Sequence, residues 1–268
     1  MNKKILIAVK TYPNPSKKYN ETVCTAGLDE DKNWIRIYPI TFRARPLEEQ
    51  YKKYQWIQVD IQKTTGTDFR PESYHLSNLD DEIKILEEVS SYDVKKDYLL
   101  HNVYHSLDDL LKDSNNPKYI SLATYKPSSI ISANYQPCSR NWDAKDQEQF
   151  RQLNIFYDSP KNPLKKIPYT FKYTFLDING SEHNMSILDW EIGALYWNCL
   201  KSTKSEKEAC HKVIEKLEYL ANKRDLYFIL GTTLEHQKRK FHNPFTIVSL
   251  FYPPFDDQLT IFGVLQEM

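Results

Sequence analysis

The chain has six glycines in 268 residues, and neither GxGxxG nor GxxxxGK[ST] occurs in it. That excludes the glycine-rich phosphate loops of Rossmann and P-loop proteins. It also lacks a surplus of either charge: 36 basic residues balance 36 acidic ones. A protein that grips nucleic acid over its whole surface is basic, so any such grip must come from a local patch. The four cysteines (Cys24, Cys138, Cys199, Cys210) are scattered without CxxC spacing, which argues for reduced thiols and against a cysteine-rich zinc site. Long apolar runs are missing too. The first spans five residues, Ile5 to Val9, too short for a signal-peptide core, and no segment approaches the roughly 18 residues a membrane span needs. A cytoplasmic protein with no membrane association is expected.

What is present is an ordinary globular composition, 40% hydrophobic and 27% charged, rich in tyrosine and phenylalanine. Residues 3–11 read as a buried first strand. Residues 21–28 and 33–40 form a hairpin across a short polar turn, with Trp34, Arg36 and Tyr38 on one face and Ile35 and Ile37 on the other. Residues 55–63 alternate again. Residues 80–89 and 106–112 carry helical spacing, the second capped by Ser106. Strands are expected over 118–125 and 129–135 and a helix over 143–156, before prolines break the chain near 158–167. Beyond it, Tyr169, Phe171, Tyr173 and Phe175 share one strand face and Asn179-Gly180 makes a turn. A helix follows from Asp189 with its stripe on Leu188, Ile192, Leu195, Tyr196 and Cys199. Ser205 and Glu208 form a capping box opening a second helix, and two apolar strands (226–231, 245–252) follow. The fold expected is α+β: a β-rich domain over 1–158 and a mixed sheet-and-helix domain over 168–268.

Three places offer chemistry. His183, Asp189 and Glu191, joined by His236, have the side chains of an acid–base or metal-assisted hydrolase. The plainer reading is that Asp189 caps the helix and Glu191 favours its dipole. The loop before the last strand carries Lys238, Arg239 and Lys240, suited to phosphate contacts. The segment 161–173 interleaves Lys161, Lys165, Lys166 and Lys172 with aromatics and has no acid, the composition of a single-strand binder. The same rings at alternate positions suit a core. Arg36, beside Trp34 and Tyr38, is a further candidate contact.

The runs KILIAVKTYP, ETVCTAGL and NWIRIYPI, with YQWIQVDIQK and RPESYHL, resemble the start of bacterial proteins described as dual OB-containing domains. In those a Cys-Ala-Gly-like run, a Trp-Ile-Arg strand and a Pro-Glu-Asn-like element recur. Here Thr25 separates Cys24 from Ala26-Gly27, and Ser73 follows Pro71-Glu72 in place of Asn. The second half is similar to an uncharacterised bacterial family with a Phe-Cys…Cys…His…Asp-Trp-Glu segment followed by Gly-Thr…His…Asn-Pro-Phe. The matching residues are His183, Asp189, Trp190 and Glu191, then Gly231, Thr232, His236, Asn243, Pro244 and Phe245. LDINGSEH stands where that family has its cysteines; if those cysteines bind zinc with the histidine, that site is lost here, and the leading reading expects no metal and no cofactor. The resemblance implies an OB-like barrel in the first half. The function expected is a nucleic-acid-binding accessory protein of a mobile-element or antiviral-defence system, acting on single or double strands. A metal-dependent phosphodiesterase and a subunit that docks on a larger protein are the alternatives.

Overall fold

The computed structural model describes residues 1–16, 19–66, 68–115, 117–142, 164–233 and 241–255. Strand β1 (Asn2–Lys10) pairs antiparallel with β3 (Asn20–Asp29), to which the short β2 (Asn14–Ser16) is added. β3 pairs with β4 (Trp34–Ile40), and two 3-10 turns lead on to β5 (Gln55–Lys63). β6 (Ser73–Leu76) lies parallel to β4 and antiparallel to β5, and β5 returns to β1. The ring β1-β3-β4-β6-β5 is therefore a closed five-stranded barrel, with β7 (Lys84–Glu88) appended to β5. Alternation sets its inside: Ile5, Ile7, Ile35, Ile37, Ile57, Val59 and Ile61 fill the lumen, with Phe42 and Tyr51 from the connection between β4 and β5.

The helix expected over 80–89 is a strand instead, Ile85 pairing with Ile57 of β5. A short apolar run such as KILEE satisfies either period, and here an open barrel edge decided it. The helix comes later: α1 (Tyr92–Leu99), where Ser91 accepts the Asp93 and Val94 N–H groups. Ser106 caps α2 (Leu107–Asp113) as expected, accepting from Asp109 N.

The remaining strands form two sheets. β8 (Val103–Tyr104), β9 (Leu122–Tyr125), β13 (Tyr227–Thr232) and β14 (Phe245–Phe251) make one; β10 (Ser129–Pro137), β11 (Tyr169–Leu176) and β12 (Glu182–Ser186) make the other. Helix α3 (Trp190–Thr203) and helix α4 (Glu206–Lys223) are separated only by Lys204, in the left-handed region, and Ser205. The molecule is thus mixed α+β. Most of the proline-rich run at 158–167 lies outside the described residues, as does the helix expected over 143–156. The pairing of β8, β9 and β10 joins 103–137 to the second half.

The four-stranded sheet is shared by two cores. One face sends Tyr125, Phe228 and Leu230 toward β11 and the helices, where Tyr173 stacks on Phe228 with centroids 5.4 Å apart. The other sends Leu122, Ile229, Val248 and Phe251 onto Ala8, Val9, Ala26 and Leu28 of the barrel. The outer wall of β1 and β3 is therefore an internal surface.

Candidate nucleic-acid interface

The Asp-Trp-Glu triplet opening α3 joins the two halves. Asp189, 3% exposed, caps the helix through Glu191 N at 2.7 Å. Its other oxygen accepts from Ser249 Oγ, Leu250 N and the Lys53 ammonium, the last at 3.0 Å. Lys53, from the barrel, is 2% exposed and also meets Glu191 at 3.0 Å. Burial alone would push its pKa down; Asp189, with Tyr54 and Glu191, instead carries it well above the ordinary lysine value. The capping expected of Asp189 is present, and Lys53, 136 residues away, adds a buried ion pair to it. Trp190 meets Phe42 edge-on, and the Lys10 ammonium lies 4.3 Å from Phe42 and 4.8 Å from Trp190. Burial drives the Lys10 pKa down to about 8, opposed by Glu191 and Asp189.

The other expected site residues are dispersed. His183 bonds Asp177 at 3.3 Å, beside the Asn179-Gly180 turn, and not Asp189. Among the described residues no three His, Cys, Asp or Glu side chains gather as metal ligands would. His236, Lys238, Arg239, Lys240 and Lys161 lie outside the described residues. Arg36 is not a surface contact. It is 4% exposed, donating to the Ser121 carbonyl and hydroxyl at 3.0 Å, because the wall that carries it is covered by β9. Phe171, Tyr173 and Phe175 are core, so these three rings cannot stack on bases; Tyr169 is partly buried against the same core, its hydroxyl donating to Glu206. Lys172 extends to Gln136 on the outward face, and Lys166 to the Asn141 carbonyl.

Lys165 reaches a cleft lined by a second stripe of α3. Trp190, Ala194, Trp197 and Lys201 follow one another at i, i+4, i+7 and i+11 along α3, and all four line a cavity of about 580 Å³. Tyr12 and Pro13, from the loop after β1, form the facing wall, and Arg43 and Lys165 add positive charge. Tyr12 is fixed at three points: Trp197 Nε1 donates to its hydroxyl at 2.9 Å, the hydroxyl donates to the Lys165 carbonyl at 2.9 Å, and its N–H donates to the Leu188 carbonyl. Gly193 admits the ring, since a Cβ there would come within 2.5 Å of Tyr12 Cδ2. Arg43 pairs with Glu21 at 2.9 Å, while the Lys165 ammonium lies 5.8 Å from the Trp197 ring. The result is a pre-organised aromatic cleft with three cations around it.

A family model described as a domain of unknown function (DUF8757) matches residues 103–266, more than half of the chain. The chain belongs to that family. The DUF8757 segment opens at β8 and holds the tryptophan wall of the cleft. A second model, a domain of unknown function (DUF8758), matches residues 1–101 and spans the barrel and α1, including Tyr12 and Arg43. The two matches meet between α1 and β8, so the cleft draws on both. No curated protein matches the chain. Among the described residues no helix is long and apolar enough to cross a membrane.

Proposed function

We propose that the chain binds single-stranded nucleic acid, with unstacked bases against Tyr12, Trp190 and Trp197 and phosphates on Arg43, Lys165 and Lys201. The observation that carries this reading is the coincidence of three aromatic walls and three cations in one cleft. Aromatic faces stack bases without regard to sequence, and neighbouring cations track the backbone. The barrel adds support. Numbered by its own five strands, it runs 1-2-3-5-4 and closes on 1, with strands 3 and 5 parallel. That order suits an OB-like barrel. OB-folds bind along the second and third strands and the loop between strands 1 and 2. Here the second half lies against that wall, and the loop carrying Tyr12 takes over. Duplex, whose bases are already stacked on one another, fits the cleft less well.

Binding of short single and double strands across a salt series tests the reading. Three phosphate contacts give a slope of about −2 in log K against log salt for a single strand. Lys201→Glu flattens the slope, and Trp197→Ala weakens binding by roughly 1–3 kcal/mol. No binding, or binding indifferent to salt and to both substitutions, refutes the proposal.

A further inference from the structure

A second cavity, of about 390 Å³, lies between the barrel and strand β9 and shares no lining residue with the tryptophan cleft. Glu72 of the Pro71-Glu72-Ser73 element lines it. Its side chain is 8% exposed. Oε1 accepts a short hydrogen bond from the Ser121 hydroxyl and lies 3.6 Å from Arg36 Nη2. Oε2 has no hydrogen-bond partner among the described residues. A carboxylate so deeply buried, with one oxygen held and the other free, offers a fixed acceptor to a ligand N–H.

Charge and shape narrow the class of that ligand. Glu72 has Arg36 as its counter-cation. The other carboxylate of the cavity, Asp29, has Lys3 at 2.9 Å. A further full positive charge would therefore find no unbalanced partner, whereas a neutral donor would. Trp34, Tyr74 and Tyr104 bring aromatic rings to its lining, and the volume falls within the roughly 300–1,000 Å³ of small-molecule sites. We infer that this cavity is a binding site for a neutral, flat heterocycle bearing an exocyclic amine, of the size of a nucleobase or nucleoside, with Glu72 Oε2 accepting the amine. The inference stands on this cavity alone and does not depend on the cleft.

Titrating protein labelled at its tryptophan indole nitrogens with guanosine, cytidine and uridine tests it. The Trp34 resonance is assigned with Trp34→Phe. Guanosine and cytidine are expected to shift that resonance saturably, and uridine, which has no exocyclic amine, to bind about tenfold more weakly. Glu72→Gln should weaken guanosine about tenfold. Tyr74→Phe, which removes a cavity-lining hydroxyl with no hydrogen-bond partner among the described residues, should cost about threefold and serves if Glu72→Gln does not fold. No shift at millimolar nucleoside, equal affinity for uridine, or shifts confined to Trp190 and Trp197 would each overturn the assignment.

Discussion

Replacing Lys53 by methionine tests the junction most directly. The ammonium meets Asp189 and Glu191 at 3.0 Å each and the Leu250 carbonyl at 3.3 Å. Methionine keeps most of the volume and removes the charge, so the loss falls on Asp189, a carboxylate 3% exposed. Breaking a buried ion pair from one side costs about 3–5 kcal/mol. Asp189 retains three neutral donors, Glu191 N, Ser249 Oγ and Leu250 N, which places the expected loss near the lower end, about 3 kcal/mol. Glu191 adds little, being 48% exposed and free to turn toward water. Urea unfolding followed by circular dichroism and tryptophan fluorescence reads the change. Asp189→Ala and the double variant complete a cycle with a coupling of about 2 kcal/mol. The pH dependence has a definite sign. A lysine whose folded pKa is raised contributes stability in full below its unfolded value, about 10.4, and loses it as pH climbs through the folded value. The deficit of Lys53→Met should therefore persist from neutral pH to about 10. A loss under about 1 kcal/mol, or additive single variants, would refute the account of Asp189 as a buried charge neutralised by Lys53.

Lys10 is expected to behave in the opposite sense. Its folded pKa is depressed to about 8, so its favourable contribution is complete above the unfolded value and fades as pH falls through about 8. Lys10→Met should raise stability at pH 7 by on the order of 1–3 kcal/mol, the ring contacts offsetting part of the burial cost, with the gain vanishing by about pH 10 in pH-dependent thermal unfolding. Gly193→Ala forces a methyl against Tyr12. It should cost about 1–3 kcal/mol in urea and weaken oligonucleotide binding in step, whereas loss of stability with unchanged binding would separate Tyr12 from the site. Burial would raise the Asp177 carboxyl, but the Ser181 N–H, His183 and the Asn179 N–H together hold it below the usual range. Its stabilising contribution is lost as pH falls through that value, and His183→Ala should move acid unfolding to higher pH by removing one of the three, at a cost under about 1 kcal/mol near neutrality.

Much of the fold was legible because it rests on local pattern. The alternation of NWIRIYPI and QWIQVDIQK marks β4 and β5 and assigns their faces correctly, Ile35 and Ile37 to the lumen and Trp34 and Arg36 to the outside. The caps at Ser106, Asp189 and Ser205 are local as well. What lay outside was a question of where, and not in what pattern. Arg36 on an outward face reads as a surface contact until β9 lies across it. The stripe expected for α3 runs through Leu188, Ile192, Leu195, Tyr196 and Cys199, and the second stripe, Trp190 to Lys201, carries a signal in its own spacing. Nothing near Asp189 announces Lys53, and nothing near Glu72 announces Ser121, because these partners meet only after the barrel docks.

The covered outer wall of the barrel has a bearing on how the molecule can be taken apart. A fragment ending at residue 101, the limit of the DUF8758 match, would strip Ala8, Val9, Ala26 and Leu28 of their cover from Leu122, Ile229, Val248 and Phe251, and the complementary fragment would carry a stripped sheet and an Asp189 without Lys53. Each piece would hold the missing surface of the other. Produced together, the two are expected to reassemble as a split pair, and only in that assembly would the tryptophan cleft and the Glu72 cavity exist.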